Sequence, residues 1–424
     1  MNRIKNLGWR VTMAGLGINL ALGILYTWSI FKMTIKDSIE SGDGLFSWSL
    51  ASLNDPYAVC CLTFAFTMIF AGRVQDKLSP RITAVIGGIL TGFGLILISF
   101  STSWISWIIG FGIFMGMGLG FGYASATPPA IKWFSPAKTG MIAGIVVAGF
   151  GLASVYIAPL ATFLIERFGL SQAMLIFGIA FLVIVSGLAQ FLVNPPEGYI
   201  HPDTIHTKAS AAAAAINFEP GRMLRTGTFY KLWIIFCIAS GAGLMIIGSV
   251  AGMAKQGMGG MAWVVVALMA VGNASGRVVA GILSDRIGRA NTLFIMLIFQ
   301  AVIIFSLLFI TPAQVMLLVL AAMIIGFNYG TNLSLFPSAT KDFFGLKNFG
   351  VNYGLVFSAW GVGGFIFPRV SQMIIAYTAS PRMAYILAAS LLLVCAALAL
   401  MTRAPVAEKD VKARFIITPA TEKI

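Results

Sequence analysis

Acidic, metal-binding and thiol side chains are scarce in this chain of 424 residues, which has 14 Asp and Glu, four Cys and two His. The cysteines all lie in long apolar runs and both histidines lie in one polar segment, so no spacing suits a zinc site or a disulfide framework. The sequence also has no Walker phosphate loop and no paired carboxylates. It therefore predicts no enzyme, no metal site and no cofactor.

Charge of either sign is rare, at 10% of the residues, whereas ordinary soluble domains have about 25%. Hydrophobic residues make up 58%, and apolar runs of about 20 residues recur along the whole chain. The short alternating segments that build a closed barrel are absent. These features predict an all-α membrane protein with twelve transmembrane helices. The predicted spans are 9–31, 50–72, 82–101, 104–127, 139–163, 171–193, 229–253, 260–283, 291–311, 314–338, 349–376 and 382–402.

The net charge of +14 is unevenly placed. Most Lys and Arg residues lie between the predicted spans on the side that holds both chain ends, and few lie on the other side. Such an excess marks cytoplasmic loops, so both termini are predicted to be cytoplasmic. The basic balance thus reflects membrane topology. The lipid bilayer is the expected partner, nucleic acid is not, and no obligatory protein partner is indicated.

A single long polar segment, 194–228, separates six predicted spans from six, and its prolines favour a linker. The predicted organisation is an N-terminal six-helix bundle (1–193), a cytoplasmic linker (194–228), a C-terminal six-helix bundle (229–402) and a cytoplasmic tail (403–424). The halves also resemble each other in sequence. Residues 120–123 (GFGY) correspond to 326–329 (GFNY), and the loop 72–81 (GRVQDKLSPR) corresponds to 281–289 (GILSDRIGR). Two pseudo-symmetric bundles with a ligand held between them are therefore expected.

Arg277 is the most informative residue of the sequence. It lies in the segment 261–282, which has no other charge. An arginine at the centre of a lipid-exposed helix costs about 2.5–3.5 kcal/mol on insertion scales, so it is expected to face a protein interior or a water-filled path. No carboxylate lies deep in any other predicted span. The anionic partner is therefore expected from outside, as a small organic anion.

The paired loops resemble the G-x-x-x-D-[RK]-x-G-[RK] signature of the major facilitator superfamily. The second copy is a close match, whereas the first has Ser79-Pro80 where glycine is usual. In that family the loop aspartate caps a neighbouring helix and bonds basic residues of the loop, which stabilises the outward-facing state. An ordinary charged turn is the alternative for the two aspartates. The resemblance assigns this role to five residues: Asp76, Arg81, Asp285, Arg286 and Arg289.

Finer features resemble the monocarboxylate porters, in particular their bacterial oxalate/formate-antiporter-like branch. These features are residues 25–29 (LYTWS), 335–338 (LFPS) and 352–354 (NYG). In that family the arginine eight residues before the loop aspartate binds the substrate carboxylate, and Arg277 and Asp285 have this spacing. The oxalate exchanger has a second cation, a lysine, where this chain has Trp360. One buried cation suits one carboxylate, so we expect monocarboxylates.

The resemblance places further residues around the substrate. Asn273 lies one helical turn before Arg277 and is expected to orient its guanidinium or to donate to a substrate hydroxyl; an ordinary interhelical hydrogen bond is the alternative. Animal proton–lactate carriers have aspartate at the position of Asn273. The remaining expected contacts are listed together, and for any single aromatic among them core packing is the alternative reading: Leu25, Tyr26, Tyr123, Tyr329, Phe357 and Trp360.

Asp55 lies near the external end of the second span and is either a proton-entry group or a solvated helix end. The whole pattern predicts a transporter in the inner membrane of a bacterium. It would move a small monocarboxylate, such as lactate or pyruvate, with a proton by alternating access. Proton-independent anion exchange is the nearest alternative. Multidrug efflux of cations is disfavoured because the interior offers a base, and a non-transporting sensor is the remaining class.

Overall fold

The structure of the protein is a computed structural model that describes residues 6–196, 199, 201, 217–258, 262–311 and 313–405, without the side chains of 248–263 and 266. Most of the predicted linker and of the predicted tail lies outside these residues. All regular elements in the described part of the chain are helices, and it contains no strand.

Eleven continuous helical segments within the described residues are long and apolar enough to cross a membrane. The longest, Pro136–Ala189, is broken at Gly169, where φ is 81° and ψ is 164°, so it forms two helices joined at a sharp corner. The twelve helices in chain order are α1 Gly8–Ser41, α2 Leu50–Lys77, α3 Pro80–Ser99, α4 Trp104–Lys132, α5 136–168, α6 170–189, α7 Gly227–Met258, α8 Ala262–Ile287, α9 Arg289–Ser306, α10 Val315–Phe344, α11 Phe349–Thr378 and α12 Arg382–Leu400.

Four of these helices contain irregular turns, one of them a short 3₁₀ segment, Pro136–Lys138, that begins α5. The 3₁₀ segment Gly23–Thr27 interrupts α1, a second 3₁₀ segment begins α2 at Leu50–Asn54, and a π-helical segment runs over Ile108–Met115 in α4. Such turns are frequent at functional positions of long helices. The turn of α1 places Tyr26 at the centre of the molecule.

The predicted number of spans is confirmed, but several ends differ. The structure continues α1 to Ser41, past the predicted end at residue 31. It also carries α4 through Pro128 to Lys132, past the predicted end at residue 127, and α10 through Pro337 to Phe344, past the predicted end at residue 338. A proline inside a membrane helix removes one backbone hydrogen bond. The helix can continue because neighbouring helices and side chains satisfy the backbone groups that the proline frees.

The two halves of the molecule meet along two helix pairs, α2 with α11 and α5 with α8. Glycines allow both contacts. A Cβ atom on Gly72 of α2 would overlap the backbone of Gly350 in α11, and one on Gly281 of α8 would overlap that of Gly140 in α5. Small residues let helix backbones approach closely in membranes, where no hydrophobic force drives them together.

Both described chain ends lie on one face of the helical bundle. Asn6 donates to the carbonyl of Trp133, whose indole donates to that of Val193, and Thr228 donates to the carbonyl of Arg403. We name this side the terminus face and the opposite side the distal face. The outer surface between them is apolar, with Phe70 at 68%, Val183 at 62% and Phe309 at 82% exposure. The protein is therefore an integral, multi-pass membrane protein.

Candidate functional site

Arg277 lies in α8 at the interface with α5, and its side chain is fully buried, at 0% exposure. Its Nε donates to Asn273 Oδ1 at 2.8 Å, and its Nη1 donates to the backbone carbonyl of Val147 in α5. Its Nη2 has no hydrogen-bond partner. No carboxylate of the described residues lies within 4.0 Å of this guanidinium. The cation is thus buried, oriented and uncompensated.

The backbone of α5 comes close enough to hold this side chain because glycines line the contact. A Cβ atom on Gly151 would lie 3.0 Å from Asn273 Oδ1 and 3.3 Å from Arg277 Nε. The contact with Asn273 spans one helical turn of α8, where residues i and i+4 lie on the same face. Asn273 thus accepts from the guanidinium through its side-chain oxygen, which is the contact that an orienting role requires.

Two tyrosine hydroxyls lie within electrostatic range of Arg277. Tyr123 of α4 and Tyr353 of α11 are each 2% exposed, and the Tyr123 ring lies 5.6 Å from that of Phe150, the residue before Gly151. The hydroxyls face each other, but neither makes a hydrogen bond of normal geometry. Together with Nη2 of Arg277, they form a buried group of three polar atoms without partners.

Tyr353 was expected only as part of the family motif at residues 352–354 and not as a site residue. A usable signal was present. Tyr353, Phe357 and Trp360 follow the i, i+4, i+7 spacing of one helix face, and the last two were already expected at the site. The structure places all three in the same aromatic group, with ring centroids 5.7 Å apart for Tyr353 and Phe357 and 5.2 Å apart for Phe357 and Trp360.

A second polar group joins the halves nearer the distal face. The Trp360 indole donates to the Tyr329 hydroxyl at 2.8 Å, and the hydroxyls of Tyr329 and Tyr26 lie 3.4 Å apart. Either hydroxyl of the Tyr26–Tyr329 pair can be the donor. Tyr123 and Tyr329 occupy corresponding positions in the two halves, but they belong to different polar groups. Tyr123 faces Tyr353, while Tyr329 is held by Trp360 and Tyr26.

Aromatic rings fill the space between these two polar groups. Phe64 of α2 is the hub, with ring centroids 5.5 Å from Tyr123, 6.0 Å from Phe150, 5.2 Å from Phe357 and 5.4 Å from Trp360. Neither Phe64 nor Phe150 was predicted, because a phenylalanine in an apolar run gives no signal that separates a site from a core. Leu25, which was predicted, is fully buried in the 3₁₀ turn of α1.

A cavity of about 320 Å³ lies between the halves on the distal side. Trp360 forms part of its wall, together with Asp55 of α2 and Arg369 of α11. The Arg369 guanidinium lies over the Phe365 ring, 3.9 Å from its centroid. Arg277 does not line this cavity, so the ring system around Trp360 separates the buried cation from the distal space.

The terminus side of the centre is closed by two carboxylates that cap helices of the other half. Asp285 of α8 accepts the Gly140 and Met141 N–H groups at the start of α5, at 2.8 and 2.9 Å. Asp76 of α2 accepts the Gly350 and Val351 N–H groups at the start of α11, both at 3.0 Å. The capping contact that the family resemblance implies is thus present twice, with helix N-termini as its targets.

The basic residues of the two loops differ in their contacts. Arg289 Nη1 lies 2.8 Å from Asp285 Oδ1, and its Nε lies 2.7 Å from Asp342 Oδ2. Arg286 is exposed at the end of α8. Arg81 donates to the Gln190 carbonyl at 3.1 Å, and its role in the loop contact stays a prediction. Pro80, where this loop departs from the family signature, begins a new helix and carries Arg81 toward α6.

Comparison with known proteins adds the family. Residues 11–368 match the model of the Major Facilitator Superfamily. The chain belongs to this superfamily. Among solved structures, the fold is similar to that of the human organic anion transporter MFSD10, with a TM-score of 0.69 and 13% sequence identity over 92% of this chain and 99% of that one. At this identity the likeness concerns the fold alone.

Similar proteins of known sequence indicate which branch of the superfamily this chain resembles. The chain is 29% identical over 362 residues to the MFS-type transporter YhjX of Escherichia coli K12, covering 84% of this chain and 85% of that protein. It is 26% identical over 360 residues to the oxalate:formate antiporter of Oxalobacter formigenes, covering 84% and 82%. It is 27% identical over 293 residues to mouse monocarboxylate transporter 11, covering 66% and 60%. The expected resemblance to the monocarboxylate branch is thereby confirmed.

Proposed function

We propose that this protein is a secondary transporter of small monocarboxylates of the lactate or pyruvate kind, which binds the carboxylate at Arg277 and moves it with a proton. The observation that carries the proposal is the buried guanidinium with a free Nη2 and no carboxylate partner among the described residues. A buried charge without a counter-ion is costly, and a substrate anion that enters this centre supplies one.

The size of the expected substrate follows from the residues around the cation. The position at which the oxalate exchanger has a second cation holds Trp360, whose indole N–H is already engaged by Tyr329. A second carboxylate at that place would meet aromatic rings and no positive charge. We therefore expect a single carboxylate with a short apolar end, which can lie against the packed rings of Phe64, Phe357 and Trp360.

Alternating access is the mechanism that fits two halves meeting along α2–α11 and α5–α8. The terminus face is shut by Asp76 and Asp285, and a cavity lies on the distal side of the centre. Entry of the anion past Trp360 would neutralise Arg277 and lower the cost of closing the distal side. Release to the terminus face then requires that both aspartate caps break. We place the protein in a bacterial inner membrane with its terminus face toward the cytoplasm.

The side chains around Arg277 limit which groups can carry the transported proton. The described side chains around Arg277 offer phenol hydroxyls and an amide but no carboxyl group. We therefore propose that the proton travels on the substrate carboxyl group itself or enters by way of Asp55, which lines the distal cavity. Proton-independent exchange, the activity named for the oxalate:formate antiporter, is the alternative function.

The experiment that tests this function uses purified protein in lipid vesicles and labelled lactate. An inward pH gradient is expected to drive accumulation, and collapse of the gradient with an ionophore is expected to abolish it. If vesicles preloaded with unlabelled lactate or formate take up label at the same rate without a gradient, the exchange reading replaces symport. If no short monocarboxylate enters under either condition, the proposed substrate class is wrong.

A further inference from the structure

We infer that Tyr353, together with Tyr123, completes the carboxylate site of Arg277, so that one bound carboxylate is held by donors from both halves of the protein. This inference rests on the proposed function and goes further than it. It assigns a substrate-binding role to Tyr353 and specifies how the two carboxylate oxygens are satisfied.

A buried carboxylate needs more hydrogen bonds than Arg277 can donate. Its two oxygens offer about four acceptor sites, and a carboxylate taken out of water is stable only when most are used. Arg277 cannot supply them alone. Its Nε is already engaged by Asn273, so the side-on pair of Nε and Nη2 is blocked, and one Nη1 hydrogen goes to Val147. Nη2 is the part of the guanidinium left free.

The hydroxyls of Tyr123 and Tyr353 are buried without hydrogen bonds of normal geometry. Both lie within electrostatic range of the guanidinium. A buried hydroxyl without a partner costs free energy in the empty protein. Two such groups beside an uncompensated cation are explained together if an anion accepts from all three.

The three donors come from both halves of the protein. Tyr123 belongs to α4 of the first half, whereas Arg277 and Tyr353 belong to α8 and α11 of the second. A carboxylate that accepts from both tyrosines bridges the two halves directly. Tyr353 also follows the first turn of α11, whose Gly350 and Val351 N–H groups Asp76 holds. Binding at Tyr353 therefore bears on the helix whose start is part of the closed terminus face.

The arrangement also predicts which substrate feature is read here. The guanidinium can only donate and each hydroxyl can donate as well, so the three groups suit an anionic carboxylate better than a neutral amide, whose NH₂ finds no acceptor on Arg277. Lactamide, which has the shape of lactate but no charge, is expected to bind far more weakly than lactate.

The test is calorimetric titration of lactate into purified protein for four variants. Tyr353→Phe and Tyr123→Phe each remove one hydroxyl, and each is expected to weaken lactate binding at least about tenfold, as for a hydrogen bond to a charged group. Because each removes a buried polar atom that has no partner, the melting temperature without ligand is expected to stay level or to rise. Tyr156→Phe, which removes a hydroxyl that bonds the Leu20 carbonyl away from the site, is the matched control. Arg277→Gln is the fourth variant.

The outcomes separate this inference from the proposed function. Weaker lactate binding by both tyrosine variants, with binding by Tyr156→Phe unchanged, supports the inference. If Arg277→Gln loses binding while Tyr353→Phe and Tyr123→Phe bind lactate like Tyr156→Phe, the inference is overturned and the proposed function stands. If Arg277→Gln itself binds lactate like the unchanged protein, both fail.

Discussion

The backbone of Gly144 in α5 packs directly against the carbonyl group of Arg277 in α8, so closely that a Cβ atom there would overlap the oxygen. The same stretch of α5 carries Val147, whose carbonyl holds the guanidinium. The position of the buried cation thus depends on the close contact between the halves, and the contact depends on a residue without a side chain.

Gly144→Ala is expected to force α5 and α8 apart and to move the Val147 carbonyl away from Arg277. Overpacking of this kind costs about 1–3 kcal/mol. We expect a lower melting temperature and a large loss of lactate transport. Gly187→Ala in α6 is the control, because a Cβ there meets nothing within 4 Å and alanine favours a helix. Equal transport by the two variants would show that this contact does not position the site.

Asp76→Asn and Asp285→Asn are expected to open the terminus face. Asparagine places an NH₂ group against one of the two backbone N–H donors that each carboxylate now accepts, so at least one charge-assisted hydrogen bond of about 1.5–3 kcal/mol is lost. Spin labels at Ala137 and Leu346, which both line a cavity at this face, report the separation of the halves.

The distance between these two labels is expected to shift toward longer values in both aspartate variants. Asp37→Asn, at an exposed position of α1, is the control and is expected to leave the distance distribution unchanged. Unchanged distances in Asp76→Asn and Asp285→Asn would mean that these caps do not hold the face closed.

Trp360→Lys is expected to change the substrate preference from one carboxylate toward two. The ammonium would stand beside the distal cavity that Trp360 lines and would supply the second cation that a dicarboxylate needs. Competition of oxalate against labelled lactate measures the change. Trp360→Phe separates the effects, because it removes the bond to Tyr329 without adding charge. If oxalate competes no better with Trp360→Lys than with Trp360→Phe, Trp360 does not set the number of carboxylates.

Asp55→Asn tests the route of the proton. If the proton enters through this carboxyl group in the distal cavity, accumulation of lactate driven by a pH gradient is expected to fall while lactate–lactate exchange persists. Both rates are measured in the same vesicles. Equal accumulation by the variant and the unchanged protein would leave the substrate carboxyl group as the proton carrier.

The sequence was sufficient for the parts of this protein that depend on composition and spacing. Apolar runs predicted the spans, and the non-helical residues 101–103 between α3 and α4 lie where the turn was predicted. The lone charge in an apolar run drew attention to Arg277. The helix ends were less predictable, because a proline inside a membrane helix does not end it, as Pro128 and Pro337 show.

The composition of the centre was harder to predict because its parts come together only through long-range packing. The Val147 carbonyl has no signature in sequence, and Phe64 looks like any other core residue. Arg81 lies toward α6 because the first loop departs from the family signature at Pro80, which begins a new helix and redirects the chain. The position of Tyr353 at the site could have been predicted, because its helical spacing to Phe357 and Trp360 is visible in the sequence.

The central claim is that Arg277 binds the substrate carboxylate, and uptake of labelled lactate into vesicles tests it most directly. Arg277→Ala is expected to abolish uptake. Arg277→Lys is expected to restore little of it, because a single ammonium cannot replace the planar group that contacts Asn273 and Val147 while keeping Nη2 free. Uptake by Arg277→Ala at the rate of the unchanged protein would contradict the account.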